Sequence, residues 1–207
     1  LQPQFQIHLG AEDDLMLPEN RLSSVPFVAD YLPPDDQGVG PLFDWERGGF
    51  ALNDPSQGLM LRDWKCFVDG ADVKVQADSD TPTVIFNQAG IVSLSFCFDQ
   101  NMRPCVAYET SSGVFLRWYD SAVVNYVTTS WGATFRSPRV TLDDKRLTQF
   151  ATRSDIIFAY IRGEFLCYRQ QRDRFTTERV LQGGVGPNTK LNNVGMNRVL
   201  RLQFDLA

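Results

Sequence analysis

A single histidine, His8, is the whole imidazole content of this 207-residue sequence. Ser-His-Asp and Cys-His catalysis would therefore depend on that one residue, and a histidine-based zinc site is excluded. The four cysteines, Cys66, Cys97, Cys105 and Cys167, show no CxxC spacing. Cys97 and Cys105 fall on consecutive expected strands, but two thiols make no metal site. Neither the P-loop pattern nor GxGxxG occurs, and Gly183-Gly-Val-Gly-Pro reads as a loop before a late strand, so a nucleotide or other cofactor is not expected. Apolar runs such as Asp155-Ile-Ile-Phe-Ala-Tyr-Ile are far shorter than the ~20 residues that cross a bilayer, which predicts no membrane segment. Leu1 to Gly10 lacks the basic start and apolar centre of a secretory signal. Helical periodicity is also missing, and only short pieces such as Pro18-Glu-Asn-Arg-Leu-Ser suit a turn or two of helix.

The composition that remains is that of a folded, globular chain, with 43% hydrophobic and 22% charged residues. Each cysteine sits in an apolar or aromatic run (KCFV, FCFD, PCVAY, LCYR), the setting of a reduced, buried thiol and of assembly in a reducing cytoplasm. Charge is polarised along the chain. Residues 1–100 carry 5 Lys/Arg against 16 Asp/Glu, and residues 101–207 carry 15 against 9, so −11 and +6 sum to the net −5. An acidic front and a basic back attract one another between copies, which suits a homo-oligomeric particle.

Short β-branched and aromatic runs closed by Gly, Pro, Asn and Asp recur throughout, the signature of an all-β protein. Strands are expected near Asp63 to Asp69, Val73 to Ala77, Thr83 to Phe86, Ile91 to Asp99, Pro104 to Glu109, Val114 to Tyr119 and Asn125 to Thr129. A second series is expected near Arg139 to Leu142, Asp155 to Arg162, Glu164 to Arg169, Arg174 to Leu181 and Val199 to Leu206. Asp69-Gly70, Ser111-Ser112-Gly113 and Arg162-Gly163 read as hairpin turns, which makes neighbouring strands antiparallel.

The chain also repeats itself. Phe98-Asp99-Gln100 matches Leu142-Asp143-Asp144, Val106-Ala107-Tyr108 matches Phe158-Ala159-Tyr160, Gly113-x-Phe115-Leu116 matches Gly163-x-Phe165-Leu166, and Thr128-Thr129 matches Thr176-Thr177. Each unit, near 91–135 and 136–182, is a four-stranded antiparallel meander, the size of one β-propeller blade. Residues 60–90 read as a degenerate third unit, and Leu200 to Asp205 resembles the first strand of another. Two complete blades close no ring, so a two-sheet sandwich built of the same meanders stays open beside the propeller-like arrangement.

Residues 1–44 form an extended N-terminal arm and a Pro/Gly linker, and residues 45–207 the all-β domain. In the arm Phe5, Ile7 and Leu9 alternate with polar residues as in one half-buried strand. A lone strand must dock on a sheet, its own or a neighbour's, so Phe5, Ile7, Leu9 and Phe204 are candidate assembly contacts. The enzymatic alternative rests on Asp99, Asp143 and Asp144, carboxylates at equivalent strand ends that would need to converge within ~5–10 Å for glycoside hydrolysis. An Asp closing a strand more commonly bonds its own turn, and no catalytic residue is assigned. The run Arg169 to Arg174 reads as a mixed-charge hairpin loop rather than a nucleic-acid contact. Among Trp118, Tyr119, Trp131 and Tyr168, Trp131 beside Gly132 is the best candidate for a ligand contact, although packing is the commoner role.

The segments Leu94 to Tyr108, Leu116-Arg-Trp-Tyr-Asp120, Ser137 to Arg146 and Tyr168 to Phe175 resemble virion structural proteins of tailed bacteriophages, of the kind found among tail or tail-fibre components. The likeness covers about residues 45 to 206, including Asn53 to Leu59 and Val194 to Asn197. It implies a structural, non-enzymatic role in the tail of a virion, with other virion proteins as partners. A receptor-facing module that binds, or less readily cleaves, a host-surface glycan is the alternative.

Overall fold

A computed structural model describes residues 4–7, 42–51, 59–143, 154–196 and 202–207. Among the described residues fifteen strands run in chain order. They are β1 (Gln4–Ile7), β2 (Phe43–Ala51), β3 (Leu59–Asp69), β4 (Asp72–Ala77), β5 (Thr83–Asn87), β6 (Ser93–Phe98), β7 (Pro104–Thr110) and β8 (Gly113–Asp120). Then come β9 (Asn125–Trp131), β10 (Phe135–Leu142), β11 (Ile156–Arg162), β12 (Phe165–Gln170), β13 (Arg179–Gln182), β14 (Leu191–Met196) and β15 (Leu202–Leu206).

The protein is all-β, and the strands of the described residues form four antiparallel sheets. Three are four-stranded meanders: β2-β3-β4-β5, β6-β7-β8-β9 and β10-β11-β12-β13. Both repeat units expected from the sequence are therefore complete sheets, and the degenerate third extends back to Phe43. The fourth sheet has the order β1-β15-β14, so the first of the described strands pairs with the last, Phe5 opposite Phe204 and Ile7 opposite Leu202.

The packing explains why the central strands are written as unbroken apolar runs. On a strand, successive side chains point to opposite faces, so a strand with one wet face must alternate. In β7, Cys105 and Ala107 face the third sheet while Val106 and Tyr108 face the first, and all four are buried. In β11, Ile156, Phe158 and Tyr160 face the second sheet while Ile157, Ala159 and Ile161 face the fourth. The two middle sheets are thus buried on both faces against different neighbours. A two-sheet sandwich keeps one face of each sheet towards solvent, so these sheets stack as blades do. Contacts between β2 and β6, β6 and β10, and β10 and β14 bring the first strands of successive sheets together.

Three expectations change. The strand expected from Arg174 to Leu181 begins only at Arg179, because a short 3-10 turn at Gln171–Asp173 ends with Arg174 and Phe175 both left-handed (φ 56° and 58°). That reversal turns Phe175 inward, where it is buried against Trp118 with ring centroids 5.0 Å apart. The strand expected near Val199 to Leu206 opens no further unit; as β15 it is the middle strand of the fourth sheet. Phe204 is fully buried in the chain's own core beside Leu191 and Val194, so it is no surface for another subunit. The β1 segment likewise finds its sheet within its own chain, while Leu9 lies outside the described residues.

Candidate functional site

Of the acidic residues that a hydrolase would need, Asp99 and Asp143 are engaged within the fold. Asp99 follows β6 and is buried. Its Oδ1 accepts the amides of Asn101 and Arg103 at 2.8 and 3.0 Å, and its Oδ2 accepts Arg103 Nε at 2.7 Å. Asp143 follows β10 at the equivalent place; it is fully buried and accepts the Asp155 amide at 2.8 Å, with the Arg172 guanidinium 3.9 Å away. Asp120 takes the Ala122 amide and pairs with Arg174, and Asp155 takes Arg172 Nε at 2.8 Å. Asp99 and Asp120 each tie a turn to an arginine, and Asp143 and Asp155 both face Arg172, the arrangement that charge-assisted bonds favour inside a protein. Asp144 lies outside the described residues.

A second polar group joins the first strands. Neighbouring sheets do not merge there; side chains answer the free backbone groups instead. Asp44 accepts the Phe96 amide at 2.8 Å, Ser95 the Val140 amide at 3.1 Å, and Glu109 the Ser137 amide at 2.9 Å. Ser137 is left-handed (φ 53°) and sits in the bulge between Arg136 and Arg139. Bulges re-aim the side chains beside them. Here Arg139 donates to the Asn192 carbonyl at 2.7 Å and to Ser93 Oγ at 3.1 Å, bridging three sheets. Burial pushes the Arg139 guanidinium down from its ordinary value, against the pull of Asp44 and Glu109.

The aromatic candidates divide. Trp118 and Tyr168 are buried. Trp131 ends β9 rather than standing in a loop, and it packs on Phe158 of the next sheet at 4.8 Å. Beside it, Glu178 accepts Tyr160 Oη at 2.7 Å and is bonded by both Arg162 and Arg169. Burial alone would raise the Glu178 carboxyl; the bonds from Tyr160 and Arg162 and the charges of Arg162 and Arg169 outweigh it and hold the group below its usual range. Burial, then the Glu178 carboxylate, pushes Tyr160 well above its usual range. Trp131 is therefore packed at the joint between the second and third sheets, with part of its surface open.

The corresponding joint between the first and second sheets is filled less completely. On β8 the period of two places Phe115, Arg117 and Tyr119 on the face towards the first sheet. A groove opens there between β5 and the β7-β8-β9 part of the second sheet, lined by Ile85, Phe86, Pro104, Val106, Arg117 and Tyr126. The Arg117 guanidinium lies 5.2 Å from the centre of the Phe86 ring and 5.5 Å from that of Tyr126, and donates one long bond, 3.3 Å, to Thr128 Oγ1. The alternation along β8 groups Arg117 with Phe115 and Tyr119, while the groove itself comes from the packing of the two sheets.

Among the described residues no cluster of three or more His, Cys, Asp or Glu is placed to hold a metal ion, and no helix is long and apolar enough to cross a membrane. Comparison of the chain with protein-family models, with curated proteins and with solved structures gives no match.

Proposed function

We propose that this chain is a structural component of a tailed-bacteriophage virion, associated with the tail, that works by protein–protein assembly through its sheet edges. The phage setting comes from the resemblance of the strand segments. The observation that carries the mode of action is the state of the outermost strands. β5, β9 and β13 each end a sheet, and Val84 on β5 and Val180 on β13 are about half exposed (46% and 54%). An outer strand presents backbone donors and acceptors ready to pair with another chain, and soluble proteins usually blunt such edges with charge. Two of the aspartates on which a hydrolase would rely, Asp99 and Asp143, are already occupied by backbone amides and arginines, which favours the assembly reading over catalysis.

The test places a charge on two of these edges, β5 and β13. Val84→Lys and Val180→Lys remove no core contact, so the isolated protein should melt as the wild type does. Neither should be incorporated into particles in a complementation assay, and normal incorporation of both would defeat the proposal. Binding to a host glycan is the second reading, favoured by the groove at Arg117.

A further inference from the structure

We infer that the groove between the first two sheets is a binding site for a carboxylated sugar, with Arg117 as the anion-binding residue and Phe86 and Tyr126 as the flanking faces. The inference takes from the glycan reading only the biological source of the ligand; its chemistry rests on the groove itself.

The first support is an unbalanced charge. Among the described residues, the other arginines on this side of the second sheet and in the third-sheet loops are matched by acids: Arg103 by Asp99, Arg174 by Asp120, Arg172 by Asp155. No carboxylate of the described residues lies within ion-pair distance of Arg117. Its partners among the described residues are two aromatic rings and one hydroxyl. A guanidinium carries five N–H donors in a planar fork that matches a carboxylate, so most of that capacity stays unspent here. Stacking against the rings holds the fork in place without neutralising it, which lowers the ordering cost of binding.

The second support is internal to the repeat. Gly113-x-Phe115-Leu116 aligns with Gly163-x-Phe165-Leu166, which sets Arg117 opposite Cys167. Both residues face the preceding sheet. Cys167 is fully buried in the core between the second and third sheets. At Arg117 the same pleat position carries a cation, and the space in front of it is a groove instead of a core. A duplicated unit that departs from its own pattern at one inward-facing position, leaving a charge at an opening, has given up packing there. Such departures are where function is expected.

The third support is the chemistry of the lining. Ile85, Pro104 and Val106 form an apolar floor, and Phe86 and Tyr126 are only half-buried. A pyranose offers an apolar C–H face to such walls, and a carboxylate on the ring reaches the guanidinium. A neutral sugar would leave the charge unanswered, and a small carboxylate without a ring would leave the walls empty.

The experiment titrates the full chain with sodium glucuronate, glucose and sodium acetate, following amide and Arg117 side-chain NMR shifts. Glucuronate should saturate with a dissociation constant of roughly 1 mM, a scale set by one charged pair and little buried area. Glucose and acetate should each bind at least about tenfold more weakly. Arg117→Gln, at a half-exposed position, should abolish glucuronate binding with the melting temperature unchanged, and Tyr126→Leu should weaken it. The inference falls if glucuronate gives no saturable shift, if acetate or glucose binds as tightly, or if Arg117→Gln binds like the wild type. Loss of particle incorporation with this binding intact, or the reverse, separates the inference from the assembly proposal.

Discussion

Replacing Gly113 and Gly163 by alanine puts opposite demands on two turns that the sequence writes alike. Both glycines open the second half of a hairpin and both have positive φ, 135° and 58°. At Gly163 an added Cβ meets nothing within 4 Å, so the cost is the left-handed backbone alone, about 1 kcal/mol. At Gly113 the Cβ would lie 2.2 Å from the Trp131 carbonyl oxygen and 2.9 Å from the Gly132 carbonyl carbon. Those are backbone atoms, at the point where Val114 pairs with Trp131 and β8 runs alongside β9. Neither can move without opening the ladder and shifting Trp131 off Phe158. A conformation open essentially only to glycine costs about 1–3 kcal/mol. A lost ladder bond with an unsatisfied buried partner adds about 1–3. Gly113→Ala should therefore lose about 2–6 kcal/mol in urea unfolding and melt roughly 10 °C lower, against a few degrees for Gly163→Ala. Equal, small losses for both variants would refute the placement of β9 against the turn.

Four further outcomes follow from the same packing. Asp99→Ala strands two turn amides and Arg103, and should cost about 2–3 kcal/mol; wild-type stability measured by denaturation would show the turn does not need it. The four cysteines are buried, with burial and the Asp44 charge raising Cys66 well above its ordinary value and burial and the Glu178 charge raising Cys167 to about 11. A thiol reagent at pH 8 should leave the native protein unlabelled and label all four thiols only after unfolding. Because the Glu178 carboxyl is held below its unfolded value, its contribution to stability is present above that value and lost as pH falls through the depressed one. Unfolding curves from pH 6 to pH 3 should therefore steepen in their decline for the wild type relative to Glu178→Gln. Deleting residues 1–7 removes the four pairings to β15 and should lower stability by about 2–4 kcal/mol and promote association through the freed edge, measurable by light scattering.

Much of this architecture was legible because each strand announces itself locally. The repeat of Phe-Leu after glycine located β8 and β12 to within a residue, and the unbroken apolar writing of β7 and β11 reports burial on two faces. What escaped reading was non-local or locally unfavourable. β2 carries Gly48 and Gly49 at its centre, and β14 reads Leu-Asn-Asn-Val-Gly-Met, so neither looks like a strand until its partner is known. Pairing of β1 with β15 joins residues about 200 apart, and nothing in a local pattern encodes that. The left-handed pair Arg174-Phe175 overrode an apparently extended run because the turn is closed by the Gln170 and Gln171 carbonyls accepting the two amides. At the candidate site, period two put Arg117 beside Phe115 and Tyr119, but openness depends on how far β5 covers the second sheet. The aspartates were legible as turn residues, while the arginine that each one holds came from a distant loop in all cases except Asp99.

The central claim, assembly through the sheet edges of a virion component, is tested most directly by an electron-microscopy map of phage particles purified from a host in which this chain is expressed. The account predicts density for the four stacked sheets in the tail, with at least one of the outer strands β5, β9 or β13 continued by a strand or packed surface of a neighbouring chain. A particle that lacks the chain, or one in which all three outer strands face open solvent, would contradict it.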